Sequence, residues 1–164
     1  MPIGGHERRG IVFVELCKMT IMMGAIAVLI FIAWIDYQTM EIPDWCHLIL
    51  FGLGCLQIGC GEAVAIESRL LGIIAMSLPM FIANLIRQDS FGGGDIKMCG
   101  ATGFLMGASQ VMLGAMIALL LAGLNGSIAL LLRIKKPKDS FPLGPFLSIG
   151  FIGTLLGGLL GFGF

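Results

Sequence analysis

From Met98 to Leu132 the chain runs for 35 residues without a single Asp, Glu, Lys or Arg. A soluble domain carries about a quarter charged residues, and an uncharged gap of this length cannot be spread over a surface that faces water. The rest of the chain agrees. Hydrophobic residues make up 57% of it, charged residues only 12%, and the mean hydropathy is +0.99. At 164 residues this is one domain's worth of chain, and most of its surface must face lipid. The net charge of zero offers nothing to a nucleic-acid partner.

Charges are sparse enough elsewhere to mark the membrane segments by their absence. Uncharged gaps fall at 19–35 between Lys18 and Asp36, 45–61 between Asp44 and Glu62, and 70–86 between Arg69 and Arg87. Each gap is 17 residues, the minimum for a helix that crosses roughly 30 Å of hydrocarbon. The long gap holds two segments joined by a tight turn at Gly107-Ala108-Ser109-Gln110, where small and polar residues collect. That leaves the fourth helix short: it begins at Asp95 itself or fails to cross fully. A last uncharged segment, 140–164, opens with Pro142 and Pro145. The expectation is an all-α polytopic membrane protein of about six transmembrane helices. Its approximate spans are 19–35, 45–61, 70–86, 96–108, 110–132 and 143–163. Residues 1–18 form a short amino-terminal tail or interfacial segment, ahead of a membrane domain over 19–164. Basic residues do precede an apolar run there, but it continues to Asp36 without a small-residue cleavage site, so 19–35 reads as a retained span.

Parity then groups the loops. With six spans, the loops 36–44, 87–97 and 133–139 share one side of the membrane. Arg133, Lys135, Lys136 and Lys138 crowd into the last of these, which assigns that side to the cytoplasm. Asp36 and Asp95 lie on one face of the membrane whichever way the chain is inserted.

A carboxylate at the hydrocarbon boundary is costly and is kept for function or pairing. Two that converge cannot both ionise easily, so one holds its proton while the other stays charged. Such a pair can activate a water with one carboxylate and protonate a carbonyl oxygen with the other, needing no metal and no covalent intermediate. Capping is the competing reading, because Asp95 ahead of Ile96 and Lys97 suits a helix N-cap. Glu41, Asp44 and Asp89 read as solvated loop charges on chemistry alone. A small transporter or an ion or metal channel also fits intramembrane carboxylates and abundant glycine, and His47 beside Cys46 leaves metal handling open. On its own, His47 reads as a hydrogen-bonded packing residue. Cys17, Cys46, Cys55, Cys60 and Cys99 match no zinc spacing, and their odd number completes no disulfide framework, so they read as small packing residues.

Asp36-Tyr37-Gln38-Thr39-Met40-Glu41-Ile42-Pro43-Asp44 resembles the first motif of the type IV prepilin peptidases, an aspartate followed six residues later by Ile-Pro and then Asn or Asp. Gly92-Gly93-Gly94-Asp95 is similar to their Gly-x-Gly-Asp motif, Lys97 falls where the family has a lysine, and Pro142-Leu143-Gly144-Pro145-Phe146-Leu147 resembles the stretch that opens the family's last helix. The likeness runs from about residue 19 to the carboxy terminus, in order and with compatible spacing. It implies an intramembrane aspartic endopeptidase of the bacterial inner membrane that cuts basic leaders from prepilins and pseudopilins at the cytoplasmic face. By that resemblance Asp36 and Asp95 are the catalytic pair. Gly92, Gly93, Gly94, Lys97, Glu41, Asp44 and Pro145 belong to the substrate-binding loops, with the acidic Glu41 and Asp44 suited to a cationic leader. The resemblance implies no metal and no cofactor. Larger members carry an amino-terminal region with paired cysteines and methyltransferase activity; this chain has no C-x-x-C pair, so a peptidase without that second activity is expected. The expected partners are prepilin-like membrane substrates and the bilayer, with the oligomeric state left open.

Overall fold

The computed structural model describes residues 5–61, 64–87, 91–132 and 142–159, with side chains in the first helix from residue 12 onward. These residues form six helices and no strand: α1 (Gly5–Thr39), α2 (Asp44–Gly59), α3 (Ile66–Ile86), α4 (Gly93–Met106), α5 (Ala108–Leu131) and α6 (Gly144–Leu159). The stretches Val12–Thr39, Ile66–Ile86 and Ala108–Leu131 are each long and apolar enough to cross a bilayer, and α2 and α6 are shorter apolar helices. The all-helical, polytopic membrane architecture expected from the charge gaps is the one observed. The cationic 133–138 segment lies outside the described residues.

The helix bounds depart from the charge gaps for local reasons. No proline interrupts residues 5–18, and α1 runs back to Gly5. Its 35 residues reach about 52 Å, well beyond the hydrocarbon thickness. Helix α4 has only 14 residues, or about 21 Å, and stops at Gly107. Gly107 has φ +85, a left-handed conformation that favours glycine. It makes the turn alone, because Ala108 already opens α5 and donates its N–H to Ser68 Oγ at 3.2 Å.

Short as it is, α4 is the centre of the bundle. Nine of its residues are buried, on every side of the helix, and it packs on α2, α3, α5 and α6. An apolar helix covered all round can sit inside a membrane protein without spanning the bilayer. Its contact with α3 is backbone on backbone: a Cβ added to Gly103 would stand 2.0 Å from the Gly72 carbonyl oxygen. Helices α5 and α6 cross the same way, with Gly150 against the Gly114 carbonyl at 2.1 Å from such a Cβ. In lipid, where apolar side chains gain little by leaving their surroundings, close packing of this kind carries helix association.

The bundle has two chemically distinct ends. At one, the end of α1 meets the starts of α2, α4 and α6. At the other, α3 begins beside the ends of α2 and α4, and Arg69 is wholly buried there. Arg69 Nη1 faces Phe104 O at 3.1 Å, Leu105 O at 3.2 Å and Gln57 Oε1 at 3.2 Å, and Nε donates to Val64 O at 3.4 Å. The last carbonyls of a helix have no partner within it. A guanidinium, with five donors in a fixed fork, satisfies several of them at once.

Candidate active site

The two loops that the sequence singles out close on each other through a glycine. Thr39 stitches the turn after α1, its hydroxyl oxygen accepting the Glu41 N–H at 3.3 Å. Met40 takes φ 54, the left-handed value that ends the helix. The chain then lays Ile42 on Gly94, where an added Cβ would come 3.1 Å from the Ile42 Cβ. Gly94 is thus needed for the packing of the first loop as well as for an open backbone.

This closure brings Asp36 and Asp95 to a single cavity of about 400 Å³. Its wall also includes Met40, Glu41, Ile42, Asp44, Gly92, Gly93, Gly94 and Lys97. Both aspartates are buried, at 5% and 8% exposure, so each carboxylate is largely withdrawn from solvent yet open to a shared space. They are near enough to interact electrostatically.

Each aspartate is aimed by a helix start. The Gly144 N–H, at the first residue of α6, donates to Asp36 Oδ2 at 3.0 Å. A Cβ on Gly144 would lie 2.7 Å from that oxygen, so only glycine lets the helix come so close. Asp95 is not the N-cap of α4. That place belongs to Gly92, and Asp95 sits three residues further on. From there its carboxylate reaches back to accept the Gly92 N–H, as an acid at the third helical position can. Oδ1 of Asp95 is buried and has no hydrogen-bond partner among the described residues. The capping expectation therefore describes one half of the side chain and leaves the other half unused.

At the cavity mouth Lys97 Nζ meets Asp44 Oδ1 at 2.7 Å, linking α4 to α2. Lys97 holds the Asp44 carboxyl below its ordinary value. Asp44, though exposed, is thereby paired with Lys97, and Glu41 is a second exposed acid on the wall. Pro145 is half-buried beside Gly144 and does not line the cavity. Gly144 is the contact that sequence reasoning missed, and its signal was the glycine held between Pro142 and Pro145. His47 is buried, but neither ring nitrogen has a partner among the described residues, contrary to the hydrogen-bonded role expected of it.

A family model described as the type IV leader peptidase family matches residues 23–131, a stretch that includes both aspartates and the glycine run but not Gly144. The chain is 27% identical over 138 residues to the prepilin leader peptidase/N-methyltransferase of Vibrio cholerae, covering 80% of this chain and 53% of that protein. It is 29% identical over 136 residues to the protein of the same name from Aeromonas hydrophila, covering 79% and 47%. For the Bacillus subtilis protein of that name the figures are 27% over 129 residues, covering 77% and 51%. The chain spans about half the length of these curated relatives. No solved structure matches it.

Proposed function

Because this chain belongs to the type IV leader peptidase family, we propose that it hydrolyses the leader of prepilin-like membrane substrates, with Asp36 and Asp95 as its catalytic pair. The observation that carries this reading is the convergence of two buried carboxylates, from α1 and α4, on one cavity at the same end of the bundle. Two acids in such a space share a proton. The ionised one takes a proton from a water as it attacks the scissile carbonyl, and the protonated one gives its proton to the carbonyl oxygen. When the tetrahedral intermediate collapses, the proton taken from water goes to the leaving amine. The pair titrates as a unit, so neither residue is permanently the acid.

The surroundings suit a peptide. Gly92 and Gly93 give the cavity a wall without side chains, against which an extended backbone can lie. Glu41 supplies a negative charge at the mouth for a cationic leader. The cytoplasmic face of the inner membrane is the side this reading takes for the aspartates, and the basic residues of the 133–138 sequence support it.

The test uses the full chain, purified in detergent, and a substrate with a basic leader ahead of an apolar segment. Cleavage at one position, followed by mass and unchanged under strong chelation, is the expected result. Ion uptake into proteoliposomes without hydrolysis would instead support a transporter. Gly144→Ala tests how Asp36 is held. The added methyl cannot fit beside the carboxylate, and a displacement of about 1 Å in a catalytic group costs on the order of 10²-fold in rate. The variant is expected to lose cleavage by about that factor with KM little changed.

A further inference from the structure

Away from the aspartates, α1 and α2 run antiparallel in a register that three contacts define. The rings of Phe31 and Trp45 lie 5.3 Å apart. Seven residues earlier on α1, a Cβ on Gly24 would sit 3.7 Å from Leu53 Cδ1. Another two turns along the same seam reach Cys17 on α1 and Cys60 at the carboxy-terminal cap of α2. Their thiols interact directly. Seven residues is close to two full helical turns, so 17, 24 and 31 fall on one stripe of α1. Both thiols are partly exposed, whereas Cys46 and Cys99 are buried and Cys55 is exposed. Cys99 is instead packed with its sulfur 3.6 Å from Met80 Sδ.

We propose that Cys17 and Cys60 are a redox-active pair that oxidises to an intramolecular disulfide and staples α1 to α2 at the bilayer face opposite the aspartates. Cys17 and Asp36 are 19 residues apart on one helix, roughly 28 Å. The reaction needs a disulfide-bearing oxidant, either a protein disulfide or a small-molecule one. One thiolate attacks the oxidant's S–S bond, releasing a thiol and forming a mixed disulfide. The second thiolate attacks that mixed disulfide, closes the Cys17–Cys60 bond and releases the oxidant's other thiol. The two cysteines lose two protons and two electrons, and the oxidant gains them. With the aspartates on the cytoplasmic side, this pair faces the compartment in which disulfides persist. The pairing itself does not depend on the catalytic reading.

The experiment treats the full chain carrying Cys55→Ser, in detergent, with 4,4′-dithiodipyridine. The expected product has an intact mass lower by about 2 Da, two fewer alkylatable thiols, and a proteolytic fragment in which Cys17 is joined to Cys60 of the same chain. Adding Cys60→Ser should trap the pyridyl adduct on Cys17. Stable adducts on both cysteines of the otherwise native chain, or linkage only between two copies, would overturn the proposal.

Discussion

Asp95→Asn and Asp36→Asn are each expected to lower leader cleavage by about 10³-fold, within the range that a positioned acid or base contributes. Asparagine is chosen because it keeps what the carboxylates do for the fold. At position 95 its side-chain oxygen can still accept the Gly92 N–H, so the start of α4 stays tied. At position 36 it can still accept the N–H of Gly144, so α6 stays docked. Only the capacity to exchange a proton with water and substrate is removed. A purely capping aspartate predicts the opposite outcome: a folded variant with an unchanged rate. Cleavage kinetics, together with gel filtration to establish that each variant is monodisperse, separate the two.

Arg69→Met carries the next largest effect, on stability. The substitution keeps an unbranched apolar stem and removes the donors that face Phe104 O, Leu105 O and Gln57 Oε1. Each buried acceptor left without a partner costs about 1–3 kcal/mol, so the loss should be about 3 kcal/mol or more. Arg69→Lys keeps the charge but not the fork, and should fall between the two. Unfolding in a series of detergent–denaturant mixtures would measure both. Because α4 is anchored at this end and carries Asp95 at the other, cleavage by Arg69→Met should fail at a lower temperature than the native chain's.

Charges that interrupt apolar runs made the helical, polytopic class and the common end of Asp36 and Asp95 legible in the sequence. Spacing between charges says nothing, however, about where a side chain goes once the helices pack. Arg69 marked a boundary in the sequence, but in the structure it turns inward and lies buried under carbonyls contributed by residues 35 and 36 positions away. Asp44 read as a solvated acid and is exposed, but it is also paired across helices with Lys97, which its spacing did not reveal. Gly144 entered only as one residue of the proline-glycine stretch before the last helix, because the sequence does not show that a carboxylate from α1 needs its missing side chain. The same holds for the cysteines. Their spacing along the chain matches no framework, whereas the α1–α2 register aligns Cys17 with Cys60. The turn at Gly107 was more accessible, since a positive φ in a gap between two apolar runs has a strong residue preference.

The paired-aspartate account rests on the two side chains facing one another across a single cavity, and cross-linking tests that most directly. The chain would carry Asp36→Cys and Asp95→Cys, with the accessible Cys17, Cys55 and Cys60 changed to Ser and the buried Cys46 and Cys99 kept. In membranes, a short bifunctional thiol reagent should join positions 36 and 95 within one chain, identified by fragment mass, and a peptide inhibitor of cleavage should slow the reaction. Full modification of both cysteines by the reagent with no link between them would place the aspartates apart and contradict the account.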